Sequence, residues 1–183
     1  MMLNLPNILA IFRVVLAFLF FFLLVNSNLL GGIHQSWINY FAALVFVIAS
    51  VTDFFDGFIA RSWNQMTKFG AIIDPLADKM LTLAGFLGLM FIDRANPWAV
   101  YLILVREFFI TGFRVIMASD GVEVAASMAG KVKTVFQMIA IGFLTMQWFG
   151  GEILLWIAVL LTLYSGFEYI FAYINEMKNR REI

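Results

Sequence analysis

DFFDGFIARSWNQMTKFGAIIDPLAD, residues 53–78, holds four aspartates, Asp53, Asp56, Asp74 and Asp78, in a chain otherwise poor in charge. The first pair is spaced by three and the second by four, and each sits in an apolar stretch that reads as helix. At about 100° per residue, such spacings put both members of a pair on one helical face. Two such helices, joined by a short polar turn and packed antiparallel, would bring four carboxylates together. Bare carboxylates cannot share a half-buried pocket, because each charge disfavours ionisation of the next. A divalent cation resolves the conflict, and hard oxygen ligands select Mg²⁺, Mn²⁺ or Ca²⁺ rather than zinc. With no cysteine and one histidine, a soft-ligand metal site has little to work with.

The small residues around the aspartates fit a bound ligand. Gly57 and Ala60 fall on the same side as Asp53 and Asp56, and Gly70 lies one turn before Asp74, so a flat or bulky group can approach closely. Arg61 ends the first run with a fixed cation suited to phosphate oxygens. Pro75 is tolerated in a first helical turn, which predicts that the second helix starts close to Asp74.

Working outward, the chain has 183 residues, 63% hydrophobic and only 13% charged, with a mean hydropathy of +0.92. A soluble domain carries about 25% charged residues. The composition is that of a polytopic membrane protein. Net charge is zero, so no basic face advertises nucleic acid. The absence of cysteine excludes a disulfide framework. No cleavable signal peptide is expected, since the first apolar run lacks a basic leader and further spans follow it.

A membrane span needs about 20 largely apolar residues. Six stretches qualify, roughly 5–25, 37–60, 70–92, 97–118, 128–148 and 152–174. The expected fold is all-α, six transmembrane helices in one membrane-embedded domain over 1–183, with no room for a separate soluble domain. Arg61 and Lys68, Lys131 and Lys133, and Lys178, Arg180 and Arg181 lie at one set of helix ends, whereas the opposite loops hold only Arg94. By the positive-inside rule, the termini and all four aspartates face the cytoplasm. His34 lies on the opposite side, where it reads as an ordinary surface histidine.

Two further stretches carry charge or polarity at membrane depth. In NLPNILAIFR, Pro6 punctuates a helix start, Asn7 follows it, and Arg13 has the reach to snorkel to headgroups. The fourth span holds Arg106, Glu107 and Arg114. Intramembrane arginines need partners or a polar cavity. Arg106 either pairs with Glu107 or Glu168 as bundle glue or joins Arg114, Lys131 and Lys133 in a basic pocket for an anion. For Lys131 and Lys133 the plainer alternative is snorkelling.

The spacing D-x2-D-G-x2-A-R-x8-G-x3-D-x3-D is met without a gap by Asp53, Asp56, Gly57, Ala60, Arg61, Gly70, Asp74 and Asp78. It resembles the signature of the CDP-alcohol phosphatidyltransferases, integral membrane enzymes of phospholipid synthesis. R-E-F-x2-T-G-x-R from Arg106 to Arg114, G-K-V-K-T from Gly130 to Thr134, and DPLADK from Asp74 to Lys79 resemble the bacterial branch whose acceptor is glycerol 3-phosphate. The likeness covers almost the whole chain.

The resemblance implies transfer of a phosphatidyl group from CDP-diacylglycerol to sn-glycerol 3-phosphate with release of CMP. It implies one or two Mg²⁺ or Mn²⁺ ions on Asp53, Asp56, Asp74 and Asp78, with Asp78 also the catalytic base. CDP-diacylglycerol would lie against Asn7, Asp56, Gly57, Ala60, Arg61 and Gly70. The P-N-x-L-x3-R opening from Pro6 to Arg13, common in the family, would lie near the same site, which is the other reading of Arg13 beside snorkelling. The acceptor phosphate would be held by Arg106, Arg114, Lys131 and Lys133, with Lys79 a weaker candidate. Family members are commonly homodimers in the inner (cytoplasmic) membrane, surrounded by lipid, with the site on its cytoplasmic face. Another acceptor, such as inositol phosphate, serine or a lipid, is the nearest rival. A divalent-cation transporter would need acidic residues on both sides of the membrane midplane, and a scaffold leaves the motif unexplained.

Overall fold

The structure, a computed structural model, describes the backbone of residues 5–30, 32, 34–62, 68–119 and 128–181. Side chains are described for these except residues 5, 6, 28, 30, 53–62, 68–75, 78, 118, 119 and 179–181. The described residues form six α-helices: α1 (Leu5–Val25), α2 (Gln35–Ser62), α3 (Lys68–Phe91), α4 (Pro97–Ser119), α5 (Met128–Met146) and α6 (Gly151–Arg181). A 3-10 helix, Ser27–Leu30, lies between α1 and α2. All six correspond to the stretches read as spans. Among the described residues three are long and apolar enough to cross a membrane, through Asn7–Val25, Gln35–Thr52 and Gly151–Lys178, and Lys79–Phe91 is a shorter apolar helix. This is a helical membrane protein.

One expectation about α3 fails. The helix begins at Lys68 rather than near Asp74, so Pro75 lies in its interior. A proline there removes a single N–H···O=C bond, which membrane helices tolerate where neighbours support the backbone. The apolar run on both sides of it carries the helix through.

The helix ends follow local chemistry. Pro97 opens α4 at the position where its missing N–H is harmless, and Asn96 caps it. The Asn96 Oδ1 accepts from the N–H groups of Trp98 at 2.9 Å and Ala99 at 3.4 Å. The chain leaves α3 and α5 through left-handed residues, Asp93 and Gln147, both at φ 56°. In each case two backbone bonds close the end: Asp93 N–H to Met90 O with Arg94 N–H to Leu89 O, and Gln147 N–H to Leu144 O with Trp148 N–H to Phe143 O. Trp148 also packs edge-on against Phe143, 5.2 Å between centroids. His34 is exposed beside the start of α2, where its Nδ1 accepts from the Ser36 N–H.

The chain divides into two compact units, Met1–Ala95 with Ile141–Phe149, and Asn96–Ala140 with Gly150–Ile183. In the first, α1 packs on both α2 and α3. Its buried stripe, Asn7, Ala10, Arg13, Ala17, Phe20 and Leu24, repeats every three or four residues. Small residues let the backbones approach, as expected where lipid is the solvent. A Cβ on Gly88 of α3 would stand 2.8 Å from Leu24 Cδ1 of α1. Arg94 ties the far end, donating from one nitrogen to Asn39 Oδ1 at 3.0 Å and to Thr145 O at 2.9 Å. Burial pushes this guanidinium below its ordinary value, but an arginine starts so high that it stays charged.

In the second unit α4 packs on α6. Ile110, Met117 and Tyr169 form its buried cluster, with Phe113, Ile170, Tyr173 and Met177 against it. Phe113 meets Tyr173 edge-on at 5.1 Å.

Candidate active site

Asp53 and Asp56 lie on α2, and Asp74 and Asp78 on α3, each pair on one continuous helix as the spacing requires. The side chains of these four, with those of Gly57, Ala60, Arg61 and Gly70, lie outside the described residues. Among the described side chains no group of three or more His, Asp or Glu could hold a metal ion. Four carboxylates on two helices of one unit remain a donor set of the right chemistry for a hard divalent cation.

The register of the first unit locates this layer. Phe20 of α1 meets Phe46 of α2 with centroids 5.2 Å apart, and Leu24 of α1 faces Gly88 of α3. The end of α3 reaches the end of α1 at Gly88 and Leu24, and Arg94 just beyond it bonds Asn39 at the start of α2, so α2 runs against α1, and α3 runs with it. At one helical rise per residue, stepping back along α1 from these contacts brings Arg13 level with Asp53 on α2 and with Ala77 and Asp78 on α3. Ala10 comes level with Asp56 and Asp74.

Arg13 and Asn7 therefore form the polar end of the stripe that α1 buries. Arg13 is 0% exposed and Asn7 1%. Arg13 does not snorkel to the headgroups; it is a fixed cation inside the first unit at the depth of the aspartates. Its three- and four-residue spacing from Ala10 and Ala17, on the face opposite Phe12, Val15 and Phe18, was the available sequence signal. Lys79 is partly buried one residue past Asp78.

The basic residues read from the sequence fall in the second unit and separate into two kinds. Glu107, nearly buried on α4, accepts from Arg106 at 3.2 Å and from Lys133 of α5. Arg106 also donates to Ser165 Oγ of α6 at 2.9 Å. This is the Glu107 pairing that stood as the alternative for Arg106, now extended to Lys133. Arg114 and Lys131 are exposed. The Arg114 guanidinium carbon lies over the Tyr169 ring, 4.9 Å from its centroid. The contacts thus join Arg106, Glu107 and Lys133 directly and tie Arg106 and Arg114 to the same helix, α6. The sequence reading missed Tyr169 and Ser165 altogether.

The structure is that of a helical membrane protein, with four aspartates on two helices of one unit and Glu107 paired to Arg106 and Lys133 in the other. The chain belongs to the CDP-alcohol phosphatidyltransferase family, whose model matches residues 3–164 and so runs through both units. It is 39% identical to a CDP-diacylglycerol–glycerol-3-phosphate 3-phosphatidyltransferase of Bacillus subtilis, over 92% of this chain and 94% of that one. Proteins of the same name from Rickettsia typhi and Escherichia coli K12 are also 39% identical. The first alignment covers 91% of this chain and 94% of the relative. The second covers 94% and 96%.

Proposed function

We propose that this chain is a CDP-diacylglycerol–glycerol-3-phosphate 3-phosphatidyltransferase. It transfers the phosphatidyl group of CDP-diacylglycerol to sn-glycerol 3-phosphate, giving phosphatidylglycerophosphate and CMP. The observation that carries the reading is the conjunction of an unbroken aspartate signature with 39% identity, over nearly the full length of both chains, to relatives bearing that name.

The chemistry asks for what these residues offer. Phosphoryl transfer depends on neutralising phosphate charge and orienting the nucleophile more than on covalent help from the protein. Asp53, Asp56 and Asp74, with Asp78 at the edge, would hold one or two Mg²⁺ or Mn²⁺ ions. Such ions, when bound, supply Lewis-acid stabilisation of the diphosphate and of the departing CMP. Asp78 takes the proton from the acceptor's attacking hydroxyl as the new O–P bond forms and the bond to CMP breaks. Asn7, Gly57, Ala60, Arg61 and Gly70 accommodate the CDP portion of the donor. Arg114, Lys131, Lys133 and Arg106 bind the phosphate of the acceptor, with Lys79 in a lesser role. The buried Arg13 supports the placing of charge in the layer where the donor's diphosphate would sit.

The finer architecture belongs to the same proposal: six transmembrane helices in one catalytic domain, a homodimer in the inner membrane, and the aspartates at its cytoplasmic face. The basic residues at those helix ends support that orientation. The test is CMP release by the purified protein from CDP-diacylglycerol with Mg²⁺ or Mn²⁺ and a panel of acceptors. Glycerol 3-phosphate should be used strongly, and glycerol, serine and inositol phosphate poorly. Preference for one of the others would replace the acceptor while keeping the family.

A further inference from the structure

Arg106 and Arg114 stand on α4 two helical turns apart, and the same short stretch of α6 contacts both. Ser165 accepts from Arg106 at 2.9 Å, and Tyr169, one turn on, sits under Arg114. Between them Gly166 leaves a notch along which the Arg106 side chain runs. A Cβ there would stand 3.1 Å from Arg106 Nε and 3.4 Å from its Cγ. Arg106 Nε is buried without a hydrogen-bond partner among the described residues, so packing along Gly166 was retained at the expense of one donor. Tyr169 is only 5% exposed and is fixed by the Ile110–Met117 cluster, which makes its ring a rigid support. All three residues lie past residue 164, where the family match ends.

The two contacts act differently on the cations. Arg106 is charge-neutralised by Glu107 and has donors committed to Glu107 and Ser165. Arg114 is held through a ring, which attracts the cation without offering it a carboxylate. An aromatic support restrains a guanidinium while its charge stays available to an anion. We propose that Ser165, Gly166 and Tyr169 form a positioning platform on α6 that fixes the two arginines and so sets affinity for the acceptor's phosphate, with Tyr169 the decisive member. This rests on the acceptor reading above and adds the residues that make it selective.

The test is steady-state kinetics on purified full-length protein, varying glycerol 3-phosphate and CDP-diacylglycerol in turn. Tyr169→Leu and Tyr169→Met keep an apolar side chain but remove the ring; Tyr169→Phe keeps the ring. The first two should raise KM for glycerol 3-phosphate roughly two- to fivefold, the ratio that an exposed cation–ring attraction supplies. KM for CDP-diacylglycerol and kcat should hold, and Tyr169→Phe should match the parent. Gly166→Ala, which raises helix propensity and so should fold, should raise the same KM by displacing Arg106. If Phe is as impaired as Leu or Met, or if both KM values rise together, Tyr169 is packing only and the platform is wrong. Arg114→Ala separates the two readings. If it leaves the glycerol 3-phosphate KM unchanged, the acceptor reading fails and the platform with it. If it raises that KM while the Tyr169 and Gly166 variants do not, the platform alone fails.

Discussion

Arg13 and Glu107 are buried charges with opposite surroundings, and each makes sense only beside its neighbours. Arg13 comes level with aspartates on two helices, whereas Glu107 accepts from two cations. Removing one member of a buried charged set leaves the others uncompensated. Glu107→Ala should therefore lower stability by about 3 kcal/mol, measured by thermal or denaturant unfolding in detergent. The double variant Glu107→Ala/Lys133→Met should lose less than the sum of the two single changes, since it removes both ends of the contact. Asp53→Asn should weaken divalent-cation binding and abolish CMP release in a protein that still folds; near-normal turnover with normal metal dependence would remove it from the site. Asp78→Asn keeps the side-chain shape but cannot take up a proton. It should still bind CDP-diacylglycerol with metal while losing at least ~10²-fold in turnover. The placing of the aspartates on two helices was legible, because a three-and-four spacing in an apolar run is a helical spacing. The burial of Arg13 was half legible: the opening from Pro6 to Arg13 resembles the family's, but a long side chain on a terminal span can as easily reach the headgroups.

At the scale of elements, apolar length placed all six helices to within a few residues, except at the polar end of α6. Asn96 with Pro97 marked the start of α4 in plain chemical terms. The start of α3 was misplaced because proline was read as punctuation, and one missing backbone bond does not outweigh an apolar run on both sides. The left-handed exits at Asp93 and Gln147 carried no glycine to announce them. Gln147→Gly should relieve that strain and raise stability by ~1 kcal/mol, read as a higher midpoint of thermal unfolding. Arg94→Ala should do the reverse, since two charge-assisted bonds to Asn39 and Thr145 are lost. A loss of roughly 2 kcal/mol is expected, with the activity of the folded fraction retained. Contacts between distant helices, such as Arg114 over Tyr169, left no mark on local periodicity. They depend on which faces meet, and a one-dimensional pattern does not specify that.

For the whole molecule, low charge, three spans of membrane length among the described residues, an unbroken aspartate signature and 39% identity to relatives of one name converge on one activity. The defining property of that activity is coupling: CMP should leave only as the phosphatidyl group arrives on a phosphorylated alcohol. The most direct measurement follows both products at once, CMP in solution and labelled glycerol 3-phosphate incorporated into lipid, from purified protein with CDP-diacylglycerol and Mg²⁺ or Mn²⁺. Equal amounts of the two are expected, with neither formed when the acceptor or the divalent ion is left out. Release of CMP without acceptor, or incorporation of unphosphorylated glycerol as readily as glycerol 3-phosphate, would contradict it.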